Sequence, residues 1–171
     1  MSEALSRLRK LDIFNNLDDK EFNFIISKLN RRVLKKDTII CDEGDSGDDM
    51  FLLFEGNIKI SKTVAGKYEE TLAEIEAPSV FGMVSLVDGS ERSAKCLATT
   101  DVTLLTLKKT DFDIMLAKSD VVANKVLFNI TKSMSSQLRM ANQKLADLYS
   151  NPLDTIEKLK NAYKSILKNL E

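Results

Sequence analysis

The sequence predicts a mainly-β protein of the α+β class, with an antiparallel sandwich or barrel over about residues 33–108, short helices in front of it and one long helix behind. Three observations carry this. Short apolar runs between Val33 and Lys108 recur about every eight to twelve residues, separated by Gly or Asp clusters, as in sandwiches and barrels. The residues before them have helical spacing, and the stretch from Asp120 to Tyr149 contains neither Gly nor Pro.

At the front, "MSEALSRLRK" and "DDKEFNFIISKLN" read as two short helices. The second places Phe22, Ile25, Ile26 and Leu29 on one side, with Asp18 or Asp19 as its cap. The strand runs are "TIIC", "MFLLFEG", "IKISKT", "YEETLAEI", "SAKCLATT" and "VTLLTL", joined by turns at "DEGDSGDD", "EGN", "AGK" and "VDGS". "KKTDFDIMLAKS" reads as a short helix capped by Thr110. In the long helix, Leu127, Thr131, Met134, Leu138, Ala141, Leu145 and Leu148 follow the alternating three-and-four spacing of a coiled-coil seam, while Val122, Val126 and Ile130 face the barrel. That seam predicts a homodimer through 127–148; packing on the chain's own barrel is the other reading. Pro152 starts a last helix with Ile156, Leu159, Tyr163, Ile166 and Leu170 on one face. The expected organisation is a domain over 1–149 and a helical extension over 150–171.

Composition excludes several functions. The 25 basic residues are balanced by 26 acidic ones, giving a net charge of −1, so no basic field invites nucleic acid. No apolar stretch approaches the roughly 18 residues of a membrane span, and a cytoplasmic protein is expected. The chain has no His and two Cys, which removes His-dependent triads, His-ligated metals and thiolate zinc cages; no catalytic or metal-binding residue is expected. Cys41 and Cys96 lie in apolar runs and read as buried free thiols. The acidic stretch "CDEGDSGDD" misses the register of a calcium loop and reads as a solvated hairpin turn.

One segment carries chemistry. In "SVFGMVSLVDGSERSAKC" (79–96), Gly82 lets the backbone come close to another group, and "MVSLV" can form one helical turn. Arg92, ten residues on, opens the next strand and can grip a phosphate through two parallel hydrogen bonds. From spacing alone it reads either as such a ligand or as a solvated strand end.

Two stretches resemble the cyclic nucleotide-binding domain family, the sensor domains of the catabolite activator protein and of the cAMP-dependent kinase regulatory subunit. "IICDEGDSGDDMFLLFEG" (39–56) is similar to the family's first signature, and "FGMVSLVDGSERSAKCLA" (81–98) to its phosphate-binding cassette. The resemblance covers about 11–149. It implies a double-stranded β-helix, or jelly-roll, barrel, and a cyclic phosphate held by Gly82, Val84, Ser85, Arg92 and Ser93. A weaker expectation places Gln137 against the base, with a solvated helix position as the alternative.

Met83 departs from the pattern. The resemblance implies a Glu there, whose carboxylate accepts a hydrogen bond from the ribose 2′-hydroxyl. A thioether loses about 1.5–3 kcal/mol of that contact, about 10- to 150-fold in affinity. The phosphate grip is untouched. Family transcription factors follow the long helix with a DNA-reading module, and the 21 residues from Asn151 leave no room for one, so no DNA partner is expected.

The function expected is a non-enzymatic sensor that binds cAMP, cGMP or a related phosphate ligand, without a cofactor, and signals through its long helix to an unspecified protein. The alternative is a scaffold that has lost its ligand and serves dimerisation or docking.

Overall fold

The computed structural model describes residues 3–64, 68–150, 152, 156–157, 159–161 and 163. It divides into two units, 1–131 and 132–171.

The first unit opens with α1 (Glu3–Leu8), a 3-10 turn (Asp12–Phe14) and α2 (Asp19–Ser27). Asp18 caps α2 in a reciprocal box: its carboxylate accepts from the Glu21 backbone N–H at 2.8 Å, and Glu21 accepts from the Asp18 N–H at 2.8 Å. Eight strands follow: β1 (Asn30–Leu34), β2 (Ile39–Cys41), β3 (Asp49–Glu55), β4 (Asn57–Val64), β5 (Tyr68–Glu76), β6 (Ser79–Phe81), β7 (Lys95–Ala98) and β8 (Val102–Lys108). Helix α3 (Met83–Asp88) lies between β6 and β7. Every pairing is antiparallel, and the orders β1-β8-β3-β6 and β2-β7-β4-β5 give the two four-stranded sheets of a jelly roll.

The sheets share a core of Ile40, Cys41, Phe51, Leu53, Ile58, Phe81, Cys96, Ala98, Val102 and Leu104. Because side chains alternate along a strand, Phe51 and Leu53 enter this space while Met50 and Leu52 go to the other face of β3. Those are buried too, so β3 is covered on both faces.

Three local features differ from the sequence expectation. The strands begin at Asn30, three residues early, because β1 is an edge strand whose Asn30, Arg31, Arg32 and Val33 are exposed and show no buried alternation. The short β6 pairs with β3 through Phe51↔Phe81. Helix α4 (Lys109–Ala117) is not capped by Thr110: β8 runs straight into it, Lys108 is the N-cap without a side-chain bond, and the Lys109 N–H donates to the Asp48 carbonyl at 2.7 Å. The "AGK" turn lies outside the described residues.

Helix α5 (Val121–Ser150) begins in the first unit, where the Asp120 carboxylate caps it through the Val122 N–H at 2.8 Å. Val122, Ala123, Val126 and Ile130 are buried. Asn129 donates to the Ile13 and Asn15 carbonyls at 3.1 and 2.7 Å, and Lys125 pairs with Glu21 at 2.6 Å. In the second unit, Leu138 and Leu145 are 63% and 51% exposed. Ile156, Leu159 and Tyr163 are helical and exposed, whereas Ile166 and Leu170 lie outside the described residues.

Candidate functional site

Gly82 is the N-cap of α3 and takes φ +74°, a left-handed conformation that penalises any side chain. A Cβ there would stand 2.7 Å from Arg92 Nη1 and 3.2 Å from the Asp49 carbonyl oxygen. Glycine is therefore required twice over, by conformation and by the approach of Arg92. No side chain caps α3, and Gly89, also left-handed, ends it.

Arg92 is only 6% exposed. Its guanidinium lies over the Phe51 ring, 5.0 Å from the centroid, and Phe51 stacks on Phe81 at 4.9 Å. Its backbone is fixed to the acidic loop: the Arg92 N–H donates to the Asp45 carbonyl at 2.8 Å, and the Gly44 N–H donates to the Arg92 carbonyl at 2.9 Å. Nε and Nη1 are buried and have no hydrogen-bond partner among the described residues. A buried cation in that state is unfavourable by several kcal/mol unless an anion meets it. Asp49 is the nearby carboxylate; burial raises its pKa, while Arg92, Arg32 and Lys108 pull it down.

The acidic loop is thus a support as well as a turn. Gly47 does not take a positive φ; it is needed because a Cβ would collide with the Ser90 carbonyl and Ser85 Cβ. Among the described residues no group of His, Cys, Asp or Glu could hold a metal ion.

The structure brings Gly82, Arg92 and buried Ser85 into one assembly, with Met83 buried at 6% exposure in the first turn of α3. Val84 is 43% exposed. Ser93 is exposed, and its carbonyl accepts from Lys62 Nζ at 3.0 Å. Gln137 is exposed and belongs to the second unit, whereas the cassette belongs to the first.

Two contributors went unread in the sequence. Phe51, the platform under Arg92, sits in a run of core residues and looks like any of them. Lys62 brings a second cation to the cassette and pairs with Glu43 at 3.1 Å; its only signal is polarity in an apolar strand. On β4, β5 and β7, Glu69 accepts from Ser61 at 2.8 Å and pairs with Lys95 and Lys59 at 3.2 and 3.4 Å. The Ser61 hydroxyl first, then the two lysines, hold its carboxyl at about 2.

Comparison with known proteins bears on the family and the fold. The profile of the cyclic nucleotide-binding domain matches residues 31–119. A cyclic AMP receptor protein of Thermus thermophilus is 31% identical over 81% of this chain and 62% of its own length. A cyclic nucleotide-gated potassium channel of Rhizobium etli is 30% identical over 67% of this chain and 30% of the channel. The crystal structure of the Thermus thermophilus catabolite activator protein superposes with a TM-score of 0.74 at 29% identity, covering 81% of this chain and 63% of that one. The chain thus spans less than two thirds of the length of these relatives. No described helix is long and apolar enough to cross a membrane.

Proposed function

The chain belongs to the cyclic nucleotide-binding domain family, and from that premise we propose that it is a non-enzymatic sensor module that binds a cyclic nucleotide or related phosphate ligand at Arg92. One observation carries the reading: a guanidinium 6% exposed, with two buried N–H groups unbonded, held against a glycine that leaves room for it. An anion placed there offsets the buried charge and accepts from a donor that is otherwise unbonded. Gly82, Met83, Val84, Ser85 and Ser93 complete the proposed site, and Lys62 adds positive charge beside it.

The signal passes to α5. Its first turns are tied to the N-terminal segment through Asn129 and Lys125, so a shift of that segment acts on the helix directly. A ligand biases such a shift only through a difference in affinity for its two arrangements. The seam 127–148 serves a homodimer, for which the exposure of Leu138 and Leu145 speaks. Residues 1–149 form the sensor domain and 150–171 an extension, and the output partner is a protein.

Calorimetric titration with cAMP, cGMP and a cyclic dinucleotide tests the reading. Heat with at least one ligand, abolished in Arg92→Ala, is expected. No heat with any of them overturns the sensor and leaves the scaffold, for which buried Met83 would serve as filling. For the dimer, sedimentation of the full chain is compared with the Leu138→Lys, Leu145→Lys double variant; equal monomers overturn it.

A further inference from the structure

The two cysteines of this chain, 55 residues apart in sequence, stand opposite each other in the β2–β7 ladder, Cys41↔Cys96. The register shifts between Ile39 and Cys41, so one extra residue is inserted in β2. An unbroken strand would send Ile40 and Cys41 to opposite faces; with the bulge, both are buried in the core that contains Cys96. Opposed residues of an antiparallel pair have Cα atoms about 4.5–5.5 Å apart, within the range of about 4.4–6.8 Å that a disulfide spans. Both thiols are free, at 8% and 5% exposure, where Ile58 and Ala98 of the same core are at 0%. Neither residue is wholly sealed from solvent.

We propose that Cys41 and Cys96 are an oxidisable dithiol that closes reversibly into a cross-strand disulfide when a hydroperoxide enters the barrel. Cys41 is the attacking thiol. A hydrogen bond from the Cys96 thiol lowers its pKa first, and the positive charge of Arg92 helps, against burial and Asp45. The Cys96 thiol is shifted the other way, by that same hydrogen bond and by burial, and keeps its proton until the second step.

In the first step the Cys41 thiolate attacks one peroxide oxygen and the O–O bond breaks; the hydroxide released takes up a proton and leaves as water, and Cys41 becomes a sulfenic acid. In the second, Cys96 loses its proton and its sulfur attacks the Cys41 sulfur. The S–O bond breaks and a second water leaves. Two thiols have lost two electrons, and one hydrogen peroxide has become two waters. The closed ring runs from Cys41 to Cys96 and contains both the acidic loop and the cassette as far as Cys96. Its effect on ligand binding rests on the proposed function; the thiol chemistry does not.

The test treats the intact, reduced chain with hydrogen peroxide, followed by non-reducing peptide mapping. The expected product is a monomer lighter by two hydrogens, with the Cys41 and Cys96 peptides linked and both thiols restored by dithiothreitol. It should melt about 5–10 °C higher than the reduced chain. In Cys96→Ser, oxidation should stop at a sulfenic acid on Cys41, trapped by dimedone. Thiols that stay free, sulfinic acid without a crosslink, or disulfides only between chains would each overturn the proposal, and a linked product melting lower would refute the strand placement. A failure to bind any nucleotide would overturn the sensor reading and leave this result standing.

Discussion

Replacing Arg92 with Met separates what the guanidinium does for the fold from what it does for a ligand. Nε and Nη1 are buried and unbonded, and each unsatisfied donor is unfavourable by about 1–3 kcal/mol. Met matches the unbranched stem, removes both donors, and gives up the stacking on Phe51, worth about 0.5–2 kcal/mol. The difference is a gain of up to about 5 kcal/mol, and buried charges that give way to well-packed apolar groups yield about 1–4 kcal/mol. Each kcal/mol moves Tm by about 2–4 °C at this chain length, so the unliganded variant should melt at least about 2 °C above its parent by calorimetry. Phosphate-ligand affinity should move oppositely, with a loss of about 2–5 kcal/mol, or about 30- to 5000-fold. A fall in unliganded Tm would refute the reasoning, because it would mean that the guanidinium already has its partner inside the protein.

Gly82→Ala places a Cβ at φ +74° and 2.7 Å from Arg92 Nη1; a loss of about 1–2 kcal/mol from backbone strain and weakened ligand binding are expected, read as a lower Tm and a smaller titration heat. Met83→Glu restores the acceptor that the family pattern calls for, so cAMP affinity should rise about 10- to 150-fold. The unliganded variant should melt lower, since the new carboxylate replaces a side chain only 6% exposed. Glu69, held at about 2, contributes stability that is present above its ordinary value near 4.5 and lost as pH falls from there toward 2. Glu69→Gln should flatten the acid limb of Tm against pH in that window, modestly, because the group is 41% exposed.

Much of the architecture was legible because it rests on periodicity. The cap of α2 at Asp18 or Asp19, the Gly- and Pro-free helix α5, the apolar runs of β3 and β8 and the alternation in β4 each have a local sequence signature. What escaped depends on contacts between distant segments. Thr110 looks like a cap, but β8 runs straight into α4, so Thr110 already lies inside the helix and Lys108 takes the N-cap place. The three residues of β6 are a strand only because β3 lies beside them. At the site, Gly82 and Arg92 could be paired from their motif. Phe51 beneath the guanidinium could not, nor could the bulge that turns Cys41 toward Cys96, since neither leaves a mark on its own segment.

Lys109 joins three pieces of chain that are otherwise far apart. Its N–H holds Asp48 at the end of the acidic loop, its ammonium donates to the Leu86 carbonyl at 3.1 Å on α3, and the same ammonium pairs with Asp113 at 3.1 Å on α4. One residue is thus a mechanical junction: if α3 were drawn toward an anion at Arg92, the pull would reach the base of α4 without crossing a flexible loop. The stiffness of the cassette is then set by a lysine outside it, and shortening that strut would loosen the coupling while leaving every ligand-facing atom in place.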